Sequence, residues 1–442
     1  MKKFGLWVVI VCLLCSLCAC QAHQPNMASS SDEVSSSESP VSSETVSSPI
    51  SSQPYPVEEP NSGTQSLQKP EPLVQKEKLQ SLVMGSALSN RGTVTYWRYY
   101  RNGMQDGLSE YKTPEKIVKL FFGGGIGESG AFYRFPEISS FTATTERIEK
   151  IELPADTVQI SAGYGDFALV TGAGELYTVG GLSLYGGRQL IGQDAFQNEQ
   201  NQVIRAIVPE PVQKAVMTEF YLFILGKSGA IYAAPRNCET VEDLSVFPQK
   251  RPAAVFKRLP AAKTVSDICA ALQQTVTDEE GTDLRGNVLW IRYEDGSLAY
   301  VDECRQIYTT LKKLIGGKWP VLEVKNASAG GEKVQKMLAN DNLSAIVFQA
   351  DSGDYYAMGI DRITVEKQTA ENERVPQKLS LPNGARIKKV YPGYSYILML
   401  DDTGKTWIAG SDSYQILQIG YHKEPWIPWE ISGIDWDVLQ LN

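Results

Sequence analysis

Polar and apolar positions between Val158 and Gly192 define a unit that returns along the rest of the chain. An apolar run from Phe167 to Val170, a turn ending at Gly174 and a second run from Glu175 to Val179 that holds Tyr177 predict a β-hairpin. The same order of apolar run, glycine turn and aromatic strand comes back between Ile387 and Gly420. The glycines that bracket the first run, Gly163 and Gly174 in one copy and Gly393 and Gly404 in the other, have the same separation, so the two segments share a register.

The most general element of the pattern is a turn glycine followed within a few positions by an aromatic residue. It occurs at Gly92, Gly130, Gly174, Gly229, Gly296, Gly353 and Gly404. Glycine supplies the positive φ that tight hairpin turns need, and the aromatic suits a pleated strand packed between layers. Successive intervals of 38, 44, 55, 67, 57 and 51 residues are too uneven for a strict solenoid and fit a propeller with loop insertions on one rim. The longest interval holds the polar insertion Thr275 to Asn287, ahead of a strand over Val288 to Tyr293. A second insertion, Asp361 to Leu381, ends at the turn signal Pro382-Asn383-Gly384. Closing such a ring is the expected task of the tail after Gly420, whose apolar alternation could complete a blade with the first hairpin around Leu82 to Tyr100.

These residues resemble the repeat of the regulator of chromosome condensation family. Ala162-Gly163, Gly174, Leu176-Tyr177, Gly180 and Gln189-Leu190-Ile191-Gly192 match its pattern in one unit, and Gly393, Gly404, Trp407, Gly410 and Gln418-Ile419-Gly420 in another. The resemblance implies an all-β fold, a seven-bladed β-propeller over residues 75–442. It covers that region unevenly, being fair around Gly229 and weak elsewhere. Where the family often carries a histidine in the first strand of the hairpin, this chain has Asp166, Tyr221 and Tyr396, so the nucleotide-exchange activity of the eukaryotic branch does not carry over. Secreted bacterial members that act as binding modules, among them a propeller inhibitor of β-lactamase that uses one rim, make a binding role the expectation.

The N-terminus changes the picture of location. Lys2 and Lys3 precede an apolar run from Phe4 to Leu17 that is short for a bilayer span and has the layout of an export signal. Its end, Leu17-Cys18-Ala19-Cys20, resembles the lipobox of bacterial lipoproteins, which implies a signal peptide over 1–19 and a lipid attached at Cys20. Two acyl chains would anchor stably, at roughly 0.8 kcal/mol per buried methylene. Residues 20–74 are rich in Ser and Pro and are expected to form a disordered tether. The expected location is extracytoplasmic, anchored to the bacterial cell membrane.

Charge and candidate chemistry narrow function further. The chain has 42 basic and 51 acidic side chains, net −9, with no basic stripe, which argues against nucleic acid. Cys238, Cys269 and Cys304 are the cysteines of the body, an odd number that allows one bridge or three thiols. Gly125-Ile-Gly-Glu-Ser-Gly130 formally fits a phosphate fingerprint, but Ala131 to Phe135 reads as a strand where that fingerprint needs a helix, so a hairpin turn is expected. The acidic run Asp278 to Asp283 lacks the alternating ligands of a calcium loop, and His422 is the one histidine of the body. No cofactor or metal is expected. The aromatic cluster Tyr421, Trp426, Trp429 and Trp436 reads either as packing at the ring closure or as a surface that stacks on sugars or anchors a protein. The sequence thus points to a monomeric, non-catalytic surface scaffold for a protein or wall polysaccharide. The alternative is an envelope glycan hydrolase using rim carboxylates.

Overall fold

A computed structural model describes residues 77–98, 107–136, 148–163, 166–180, 203–218, 221–235, 256–274, 285–303, 322–359, 374–413, 416–419, 422 and 424–441. Among them, seven antiparallel four-stranded sheets follow one another, each made of four consecutive strands in spatial order. The blades span 79–110, 117–151, 157–205, 212–258, 265–327, 334–378 and 387–431. First strands of neighbouring blades lie against each other, as Thr157–Ala162 does on Val212–Met217, and so form the inner wall of a ring. The protein is a seven-bladed β-propeller.

Its core lies between blades. Phe132 of blade 2 meets Phe167 of blade 3 edge-on at 4.7 Å between ring centroids, and Trp290 of blade 5 meets Phe348 of blade 6 at 4.8 Å. Each sheet therefore buries both faces. That is why second strands such as Tyr221–Gly226 are buried throughout and read as continuous apolar runs.

All seven predicted turn glycines join the second strand of a blade to the third, with φ between 79° and 88°. A second constraint acts at some of them. A Cβ on Gly174 would stand 2.9 Å from Pro211 Cβ, because the next blade starts against this turn, and the Val212 amide donates to the Gly174 carbonyl at 2.8 Å. Val265 bonds Gly229 and Val334 bonds Gly296 in the same way, at 3.1 and 2.9 Å. The glycine reverses the chain and docks the following blade on its backbone. Gly130 serves as such a turn between strands Gly124–Gly127 and Phe132–Arg134, as expected for the GxGxxG segment.

The tyrosines that follow these turns have a polar task as well. In blade 2, Glu115 accepts from the Ser129 amide and hydroxyl, at 2.9 and 2.5 Å, and from Tyr133 Oη at 2.8 Å. Blade 4 repeats this clasp with Glu210, Ser228 and Tyr232, and blade 6 with Glu332, Ser352 and Tyr356. In each, the carboxylate two residues before the first strand ties that strand to the turn and third strand of its own blade. The Glu332 carboxylate pushes the Tyr356 phenol up to about 12, because the hydrogen bond would be lost on ionisation.

Two boundaries differ from expectation. The second strand of blade 5 begins at Arg285 instead of Val288, prolonging a hairpin with Val265–Gln274. The ring also closes without sharing a blade between the termini. Blade 1 is complete within 79–110, and the tail strand Trp429–Ile431 pairs within blade 7, on Thr406–Gly410. Closure comes instead from packing of Ile434, Trp436 and Leu439 with Leu82 and Trp97 of blade 1 and Tyr391 and Leu398 of blade 7. The buried Tyr391 hydroxyl donates to the Leu82 carbonyl at 3.0 Å and accepts from its amide at 2.7 Å.

Candidate functional site

Strand direction divides the connections between two faces. One carries the turns between second and third strands, four residues in every blade, and links of five to eight residues between blades. The other carries the turns between first and second strands and every connection from third to fourth. The latter reach about twenty residues at 181–203, 236–256 and 303–324. These are the turn face and the loop face. The strands that flank both insertions expected from sequence end on the loop face, while residues 275–284 and 360–373 themselves lie outside the described residues.

The loop face has a floor. In blade 6 the connection from first to second strand, 339–345, crosses the centre of the ring. Asn342 Nδ2 donates to Ser161 Oγ at 2.9 Å and the Ala162 carbonyl at 2.8 Å in blade 3, and to the Met217 carbonyl in blade 4. Asn287 Nδ2 of blade 5 reaches the Asn342 carbonyl at 2.7 Å, and the Ala345 amide reaches Gly393 of blade 7 at 2.8 Å. One seven-residue segment is thus pinned to blades on opposite sides of the inner wall. Burial pushes the Asp341 carboxyl up to about 6, against the pull of the Leu343, Ser344 and Met84 amides. Its Oδ1 accepts from the Leu343 amide at 2.8 Å, while Oδ2 is sealed from water without a hydrogen-bond partner, so burial still disfavours the charge.

Around this floor, polar groups brace the roots of the long connections. Arg374, at φ 61°, holds Asp302 through Nε at 3.0 Å and Nη2 at 2.7 Å, a buried pair linking blades 5 and 6. Buried Glu303 accepts from the Thr218 hydroxyl of blade 4. In blade 7, Asp412 collects the Ile416, Leu417 and Gln418 amides at 3.0, 2.7 and 3.1 Å, while burial pushes its carboxyl up to about 6.

The expected aromatic cluster is divided by this geometry. Trp426 and Trp429 belong to the loop-face side of blade 7, where Trp429 is half-buried in the closure packing and stacks on His422 at 4.4 Å with 9° between planes. Trp436 lies on the turn face, its Nε1 donating to Thr406 Oγ1 at 2.9 Å. Tyr421 lies outside the described residues, as do Cys20, Cys238, Cys304 and the acidic run 278–283. Cys269 is a free, partly buried thiol, and burial pushes it up to about 11, away from nucleophilic reactivity. Among the described residues no group of three or more His, Cys, Asp or Glu is placed to hold a metal ion. The floor segment escapes a sequence reading, since Asn340-Asp341-Asn342 signals only a turn.

No family model matches the chain, and no curated protein matches it significantly in sequence. Solved structures that it resembles include human WBSCR16, with TM-score 0.48 and 15% identity over 75% of this chain and 86% of that one. Another is Prp20p from Saccharomyces cerevisiae, with TM-score 0.33 and 13% identity over 67% and 82%. A third is Kluyveromyces lactis Hsv2, with TM-score 0.37 and 10% identity over 80% and 97%. The seven-bladed architecture stands on the strand pairing within this chain.

Proposed function

We propose that the protein is an exported binding scaffold, held to the cell membrane by a lipid on Cys20 and engaging a protein or wall polysaccharide through the loop face without catalysis. The observation that carries this reading is the sorting of all long connections onto one face, above a floor tied to blades across the ring. Variable loops on a rigid base present contacts at little ordering cost. The described acids with raised proton affinity, Asp341 and Asp412, hold loop backbone, which is structural work. Trp426 and Trp429, with Tyr421 nearby in sequence, are the candidate contact residues.

The test is capture from native envelope by the full chain made soluble through Cys20→Ser, with purified wall glycan in parallel. Saturable capture that is lost on Trp426→Ala or on shortening 236–256, and kept on the turn-face change Lys116→Gln, is expected. Release of shortened glycan without stable capture would establish the hydrolase instead. Mass spectrometry of the mature N-terminus checks the anchor, with a diacylglyceryl group on Cys20 as the expected outcome.

A further inference from the structure

A second site lies on the opposite face. In all seven blades the pairing of first and second strands slips by one residue at the same place. Leu79 and Ser81 both pair while Gln80 is passed over, and the same happens at Val118, Val158, Gln213, Ser266, Gln335 and Lys388. A bulge re-aims the side chains beside it. The residue after each bulge therefore holds an equivalent place on the inner wall, near the turn-face mouth of the channel. Four of these seven residues are Lys119, Lys214, Lys336 and Lys389; the others are Ser81, Gln159 and Asp267.

Two of these side chains, Gln159 and Lys214, reach the next blade, while the Lys119 ammonium lies over the Phe121 ring of its own strand at 5.3 Å. Gln159 bonds the Ala215 amide and carbonyl, at 2.8 and 2.7 Å, and Lys214 pairs with Asp267 at 2.8 Å. Lys389 donates to the Trp436 carbonyl at 3.3 Å. With Lys388 from the bulge, the ring carries five lysines and one carboxylate, in a chain of net charge −9. Among the described residues none of Lys119, Lys336, Lys388 and Lys389 has a salt bridge, and all four are exposed, with desolvation lowering the Lys119 ammonium from its ordinary value. The wall holds positive charge that nothing described neutralises.

We infer that the turn-face mouth of the channel binds a small multivalent anion, with two or more phosphate or carboxylate groups, between the lysines of the ring. Its shape decides against an extended anionic surface such as a bilayer. The surrounding rim carries charges of both signs, with Glu128 and Asp295 paired to Lys116 and Lys263 and Glu294, Asp351 and Asp402 beside them, so a flat polyanion would meet this mixed rim before it met the ring. A small ligand passes inside the rim, where the low-dielectric wall strengthens its attraction to each ammonium. Lysine, a flexible point charge, suits recognition by charge and leaves the geometry of the anion open.

The test is calorimetric titration of tripolyphosphate, and separately citrate, into the full chain carrying Cys20→Ser, at pH 7 and low salt. One saturable site that weakens as salt is added is expected. Lys119→Gln and Lys336→Gln should each weaken it at least about fivefold. The combination of these with Lys389→Gln should remove it, and Lys→Arg at the same positions should retain it. Changes at Lys116 and Lys333, outside the ring, should alter affinity less than about twofold. Circular dichroism melts show that each variant is folded. Absence of a saturable site in the parent chain, or equal losses from inner and outer variants, would overturn the inference. Preference between the two probes assigns the phosphoryl or the carboxylate class.

Discussion

The two faces of this ring obey different rules. On the turn face every hairpin turn has the same length, every turn glycine a φ near 80° to 90°, and the next blade docks on its carbonyl in at least four blades. On the loop face the connections vary from two residues at 84–85 to more than twenty. Backbone meets backbone across blades on the turn face, and that contact admits few residue types. Connections on the loop face need only return to the strand that follows, and length is thermodynamically cheap there.

The sharpest way to break the contrast is to remove what seals the turn face. Asp435 pairs with Lys78 at 2.7 Å and the Gln440 amide reaches the Gln80 carbonyl at 2.7 Å, so the tail crosses the seam between blades 7 and 1. Deleting 431–442 exposes that packing and should lower the melting temperature by on the order of 10 °C. An unchanged melt would sink the role of the tail in closure.

Next comes a pair of glycines with one φ and different surroundings. Gly174→Val meets Pro211 as well as the unfavourable φ, and should cost roughly 3 kcal/mol in urea unfolding. Gly404→Ala, with nothing within 4 Å of its Cβ, should cost only about 1 kcal/mol. Equal losses would show that φ alone, and not blade docking, fixes these positions.

On the loop face, Asn342→Ala leaves buried carbonyls of blades 3 and 4 without their donor and should cost about 2 kcal/mol. The smallest effect is one of pH. Asp341 binds its proton more tightly folded, near 6, than unfolded, near 3.9. Its contribution is therefore favourable below about pH 4, falls as pH rises to 6, and stays lost above. Asp341→Asn should flatten that part of the stability profile and add roughly 1 kcal/mol at pH 7. A slope unchanged between pH 4 and 6 would show that Asp341 is not its source.

The chain order alone carried the seven hairpins, because a positive φ demands glycine whatever packs around it, and because strands buried on both faces must be apolar throughout. The glutamates of the Ser and Tyr clasps, and the lysines in Ile117-Val-Lys-Leu120, Val212-Gln-Lys-Ala215, Val334-Gln-Lys-Met337 and Ile387-Lys-Lys-Val390, are also plain in the sequence. Their meaning as a ring emerges only when seven strands are set side by side. The seam was half legible: the tail had the right apolar residues, but side-chain packing, not strand sharing, satisfies them. Tertiary structure alone decided the floor, since the groups that accept from Asn342 Nδ2 lie 125 to 181 residues away in sequence. Local pattern encodes what a residue's own backbone and its strand neighbours require. A contact across the centre of a ring depends on where seven separate sheets bring the chain, and that is a property of closure.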